Sequence, residues 1–140
     1  MIGLKEQFRR KARKDDVTGL RAVAEIAIGL LYAAGAVFNT LYTRSHSEEF
    51  YGSFADGAWF SPARSLINTV VLPNATVFTA ALVVFQVLVA AAILTRGDLV
   101  TAALYLGASF TVLAALASNP GGTAGNLALA AIQLSLALSR

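Results

Sequence analysis

One carboxylate and a few amides and phenols, set in otherwise apolar runs, carry whatever chemistry this chain performs. Glu25, Tyr32 and Asn39 share one helical stripe with Gly29 and Ala36, at steps of four, three, four and three residues. Asn126 and Gln133 repeat the device with Ala130 and Ala137. Gln86 is the one amide of its run, and Thr101, Tyr105 and Ser109 recur every four residues in another. Polar groups in hydrocarbon are costly unless they face a partner, which makes these residues the candidate seam.

Three chemistries fit such a seam. The first is hydrogen-bonded packing between helices, with small residues permitting close approach. The second is a cavity in which Gln86, Gln133 or Tyr32 hydrogen-bonds the polar head of a quinone-like or lipid-like molecule. The third is a proton or ion path, weakened by having a single carboxylate where relays need several. Glu25 follows Arg21 by four residues, so an i,i+4 ion pair neutralises it; left unpaired, it would be a proton acceptor.

Residue usage excludes much else. With no cysteine, thiol redox chemistry, Fe–S ligation, thiolate zinc and lipidation on cysteine all fall away. The single histidine, His46, lies outside the apolar runs as a solvated loop residue, and Met1 is the only methionine. Haem ligation and a histidine metal site therefore have no basis, and no metal or catalytic residue is assigned. Glycine-rich phosphate loops and nucleophilic triads are absent as well. Asp56 reads as a turn former and Glu48-Glu49 as a solvated acidic edge.

The elements that must position the seam are four apolar segments, about 22–42, 76–95, 99–118 and 122–139. A run of about 20 apolar residues crosses the hydrocarbon core of a bilayer. Of 140 residues, 56% are hydrophobic and 14% charged, against about 25% charged in a soluble domain. The fold class predicted is all-α, an integral membrane four-helix bundle spanning 22–140, preceded by a basic segment 1–21.

Charge placement predicts the topology. Seven of the eleven Lys/Arg lie in residues 1–21, and Arg96 and Arg140 join them on one side, leaving Arg44 and Arg64 on the other. That asymmetry puts both termini in the cytoplasm of a multi-pass inner-membrane protein. A basic tail directly before a span reads as an anchor on anionic lipid rather than a nucleic-acid arm. Its long polar lead, and the length of the first apolar run, are unlike a cleaved signal peptide.

The connections follow. In Arg96-Gly97-Asp98, Gly97 takes positive φ and Asp98 caps the third span. Ser118 to Gly122, with Pro120, forms a second turn, so spans 2, 3 and 4 become antiparallel neighbours. In the aromatic 44–75 segment, Ser61-Pro62 reads as N-cap and first-turn proline of a short amphipathic helix in the outer interface, ended by Pro73-Asn74; the alternative is an irregular loop.

In these features the chain resembles the DoxX-like superfamily of small four-span bacterial and archaeal membrane proteins, over roughly residues 20–139. The resemblance is carried by the opening of the first span from Arg21 to Gly29, the outer Phe50–Asp56 stretch, a polar residue at Gln86 and the Leu94 to Gly97 turn. Where relatives commonly hold an acidic residue, this chain has Gln86, which argues against proton handling there. The family's namesake is associated with a thiosulfate:quinone oxidoreductase, and other members with membrane redox or stress-response complexes.

The function expected is a non-catalytic accessory or scaffold subunit whose bundle holds a quinone or lipid. Its expected partners are membrane lipids, a membrane or redox subunit, or further copies of itself, with no nucleic acid. The alternatives are a quinol-binding component of a membrane oxidoreductase and a small oligomeric transporter or channel.

Overall fold

The computed structural model describes residues 2–140, so Met1 of the basic segment lies outside it. The described residues are helical nearly throughout, with no strand, and form a bundle. Helix α1 (Ile2–Phe38) is followed by α2 (Ser47–Gly57), α3 (Ser61–Leu66), α4 (Ala75–Leu94), α5 (Val100–Leu116) and α6 (Pro120–Leu138). Three stretches, Gly3–Thr43, Ser61–Leu94 and Pro120–Leu138, are long and apolar enough to cross a membrane; α5 is a shorter apolar helix.

The 37 residues of α1 run without a break, a rod of about 55 Å. The basic segment is thus the first half of the same helix. Residues 3–20 are exposed throughout, and burial begins only near Arg21. The helix ends in a π turn, Asn39–Thr43, closed by Arg44 N–H on Asn39 O. His46 follows in an exposed bend, stacked on Tyr42 at 4.5 Å between ring centroids.

The aromatic segment is more regular than its sequence implies. Glu48 and Glu49 occupy the first turn of α2, where carboxylates suit the positive end of the helix dipole. Asp56 lies within this helix rather than in a turn. Pro62 is in the first turn of α3, with Phe60, not Ser61, at the cap position. The helix predicted to stop at Pro73-Asn74 instead leads on through a π turn (Ile67–Val71) and a 3-10 turn (Leu72–Asn74) into α4. Proline lacks the N–H that an α-helical bond needs, so the helix tightens there rather than ending. Asn74 alone leaves helical geometry, with φ −122°, and its Nδ2 donates to Val70 O.

Packing divides the bundle into two tight pairs, α1 with α4 and α5 with α6, with a much thinner contact between α4 and α5. Close sequence neighbours need not be close-packed ones. At the end holding the α4–α5 turn, called basal here, Ile28, Val89, Ala90, Ile93, Val100, Ala103, Leu104 and Ala137 form a buried core. Small side chains at Ala90, Ala103 and Ala137 let the backbones approach. At the opposite, upper end the α4–α5 gap is filled partly by α2 and α3.

The basal turn corrects one expectation. Arg96, not Gly97, takes the positive φ of 57°, and no glycine among the described residues does. Leu99 is the residue capping α5, and no side chain caps it, so Asp98 does not fill that role. The α5–α6 turn is capped by its sequence: Asn119 Oδ1 accepts from Gly122 N–H at 2.8 Å.

Candidate functional site

The predicted stripe of α1 faces the interior along its whole length. Glu25 is 0% exposed, Tyr32 and Ala36 5%, and Asn39 4%. Gln86 of α4 and Ala130, Gln133 and Ala137 of α6 are buried too. Together they form three separate polar layers rather than one continuous seam.

The basal layer centres on Glu25. Arg140 Nη1 lies 2.9 Å from both of its carboxylate oxygens. Arg96 Nη2 is 3.5 Å from Oε2, and Arg21, the i,i+4 partner, is the most distant at 3.9 Å. Two of these guanidiniums also bind backbone: Arg21 donates to Ser139 O at 2.7 Å and Arg96 to Ala22 O at 3.3 Å. One buried carboxylate thereby ties α1, the α4–α5 turn and the end of α6 together.

The middle layer joins α1, α5 and α6. Tyr32 Oη donates to Gln133 Oε1 at 3.0 Å, and Gln133 Nε2 donates to Thr111 Oγ1 and Leu129 O, each at 3.3 Å. Gly107 makes room for it: a Cβ there would overlap Gln133 Oε1 and stand 2.6 Å from Tyr32 Oη. Because Tyr32 and Gln133 are buried and mutually bonded, neither yields easily. Gly107→Ala is therefore expected to destabilise the bundle by about 1–3 kcal/mol. Unfolding in mixed micelles measures this, and wild-type stability would refute it.

The upper layer joins α1 to α4. Thr43 Oγ1 donates to Asn39 Oδ1 at 2.7 Å, and Asn39 Nδ2 donates to Gln86 Oε1 at 2.8 Å. The chain ends at Gln86 Nε2, which makes no hydrogen bond. That atom is not sealed in protein, since no fully enclosed side-chain polar atom among the described residues lacks a partner. Gly35 passes beside it; a Cβ at Gly35 would come within 2.7 Å of Nε2.

Gln86 and Asn39 form part of the wall of a cavity of about 780 Å³ in the upper half of the bundle. Its other walls are almost wholly apolar: Phe78, Leu82 and Phe85 of α4, Phe110, Leu113 and Ala114 of α5, Ala117 just past its end, Phe50 and Phe54 of α2, and Leu66 of α3. Both π turns border it through Asn39 and Ile67. Phe85 and Phe110 pack at 5.1 Å between centroids, and Tyr32 meets the edge of Phe85 at 6.3 Å. A second amide, Asn126, lines the cavity with its Nδ2 already committed to Ser118 Oγ and Gly122 O. The 44–75 segment thus builds the upper wall, pinned to α6 by Trp59 Nε1 donating to Thr123 Oγ1 at 2.8 Å.

Tyr51, also on the wall, has its hydroxyl 3.3 Å from Thr79 Oγ1. Burial pushes its phenol upward from the ordinary 10.0, outweighing the lowering effect of the Thr79 contact. With the folded value above the unfolded one, Tyr51 contributes no pH dependence below 10. Stability should fall as pH rises through its folded value. Spectrophotometric titration should show this phenol ionising late, and Tyr51→Phe should take one phenol out of the late part of the curve; an unchanged curve would refute the assignment.

Tyr105 does not join the seam. It is 40% exposed, on the outer face of α5 with Ser109. The buried polar residue of α5 is Thr111, and Thr43 and Thr79 are likewise buried. These three threonines carry no sequence signal because a threonine hydroxyl can be satisfied by its own helix, as that of Thr111 is by Gly107 O. Nothing in the sequence links Arg96 or Arg140 to Glu25, and only the fold brings them there.

Chemically, the site is a partly open apolar cavity that can hold an apolar body and offer it one amide donor. Among the described residues, no group of three His, Cys, Asp or Glu side chains could hold a metal ion. Comparison with family models, with curated proteins and with solved structures finds no match for this chain.

Proposed function

We propose that this is a four-span DoxX-like membrane protein of the cytoplasmic membrane. In this reading it is a non-catalytic accessory subunit whose upper cavity holds one amphiphilic molecule, an isoprenoid quinone or a lipid. The observation that carries the reading is the apolar cavity of about 780 Å³ with Gln86 Nε2 left as a free donor on its wall. Ligand pockets of this kind run about 300–1,000 Å³ and combine apolar walls with a few polar groups. A quinone carbonyl or a lipid ester carbonyl is an acceptor of the kind Gln86 lacks.

Insertion in a bilayer is supported by the outer surface. Leu30, Leu31, Val77, Val84, Leu88, Leu106 and Ile132 are all exposed. In water such a surface would drive aggregation; in lipid it is the ordinary solvent-facing side. The 17 residues of α5 span about 26 Å, enough for a thin or locally adapted hydrocarbon core. With Arg96, Arg140 and the basic half of α1 at one end, that end faces the cytoplasm.

The test is native mass spectrometry of protein released gently from membranes, with the small-molecule fraction extracted and identified. One isoprenoid or diacyl molecule per chain supports the reading. A chain consistently free of such a molecule would sink it and leave the amides as helix packing.

A further inference from the structure

The basal cluster holds more positive charge than its structural role consumes. Three guanidiniums surround one carboxylate, and the remaining acid of that turn, Asp98, pairs with none of them. The Glu25 side chain is 0% exposed, while those of Arg21, Arg96 and Arg140 are 31%, 41% and 24% exposed. Glu25 is therefore an internal post, and the arginines present their outer edges to the surroundings.

Donor accounting points the same way. Each guanidinium has five N–H donors in a planar fork. Arg21 commits one group to Ser139 O, Arg140 one to Glu25, and Arg96 two, to Ala22 O and Glu25. Arg21 Nη2, Arg96 Nε and Arg140 Nη2 have no hydrogen-bond partner among the described residues. The backbone adds an independent observation. Arg96 is the one non-glycine residue with positive φ among the described residues, although Gly97 stands beside it. An arginine held in that disfavoured conformation, and turned back onto α1 by two contacts, is placed rather than left to solvent.

We propose that Arg21, Arg96 and Arg140 form a binding site for an anionic phosphate group, with Glu25 as the fixed post that spaces them. Guanidinium forks suit phosphate because they donate in parallel pairs to its oxygens. The partly exposed edges lie where the apolar surface of the bundle gives way to the exposed basic half of α1. The same chemistry would take a lipid headgroup or a free phosphate. Only the lipid source rests on the membrane reading above.

The full-length protein in mild detergent would be titrated with phosphatidylglycerol, phosphatidylcholine and inorganic phosphate, with native mass spectrometry counting what stays bound. Wild type should favour phosphatidylglycerol over phosphatidylcholine, and the Arg21→Gln/Arg96→Gln variant should lose that preference by about tenfold. Arg21→Gln alone, which leaves both closer contacts to Glu25 in place but gives up the Ser139 O bond, should lose part of it, with fold stability measured beside it. A variant with Arg9, Arg10 and Lys11 changed to Gln should keep it.

Phosphatidylglycerol retained in excess inorganic phosphate assigns the site to a lipid. Phosphate that itself binds and displaces the lipid assigns it to a free ion. The proposal is overturned if the arginine variants bind both probes like wild type, or if the preference disappears only with the α1 variant. Failure of the membrane reading would show separately, as release of the protein from membranes by alkaline carbonate, and would leave the phosphate arm intact.

Discussion

Replacing Arg140 by alanine is expected to destabilise the protein by about 3 kcal/mol, more than neutralising its partner does. The asymmetry follows from burial. Glu25 is enclosed, whereas each arginine is partly exposed. Arg140→Ala strips both 2.9 Å contacts from the carboxylate and leaves only Arg96 at 3.5 Å and Arg21 at 3.9 Å. A desolvated charge is then poorly compensated.

Glu25→Gln keeps the side-chain shape and an acceptor oxygen, and the arginines it releases turn to water, so the loss should be nearer about 1 kcal/mol. The double variant should be more stable than Arg140→Ala alone, because the stranded charge has gone. Reversible unfolding in mixed micelles, followed by circular dichroism, gives all three values. Equal losses for the two single variants, or a larger loss for Glu25→Gln, would mean that Glu25 is not the buried post inferred from its surroundings.

The second large effect concerns the cavity. If the cavity holds the proposed amphiphile, Ala114→Trp is expected to abolish its retention while leaving the bundle folded, since the indole projects into existing space rather than into packed core. Gln86→Leu removes the one free donor and should weaken retention by about fivefold to tenfold, the usual worth of a hydrogen bond. Its own contact with Asn39 is lost too, so the comparison needs a measured fold stability beside it. Extraction and quantification of the ligand from equal amounts of folded variant decides the matter. Wild-type occupancy in both variants would remove the cavity as the binding site, and loss of folding in Ala114→Trp would show that the space is not free.

Much of the interior face was legible before any coordinates. Burying Glu25, Tyr32 and Asn39 on α1 and Gln133 on α6 follows from helical periodicity combined with the cost of a polar side chain among apolar ones. Where a helix has a few strongly polar residues on one stripe, that stripe must turn inward. Helix α5 lacked such a marker. Its residues are small or apolar on every side, and the stripe of Thr101, Tyr105 and Ser109 lost the interior to Val100, Ala103, Leu104, Gly107 and Thr111. Close packing against α6 through Gly107 and the alanines outweighed three hydroxyls, each of which can be satisfied elsewhere, as Ser109 is by Tyr105 O.

By itself, then, the sequence determined the helical class, the four apolar segments, the basic end and the inward stripes of α1 and α6. Each of these depends on residues close together along the chain. Tertiary structure alone decided the rest: Arg96 and Arg140 reaching Glu25 across 71 and 115 residues, the divergence of α4 from α5, and the cavity that α2 and α3 enclose above it. Periodicity specifies which face of a helix is buried, but not which helix covers it or how far apart two covered faces stand. Those distances are set by side-chain volumes meeting across the bundle, with alanines drawing the basal end closed and phenylalanines holding the upper end apart.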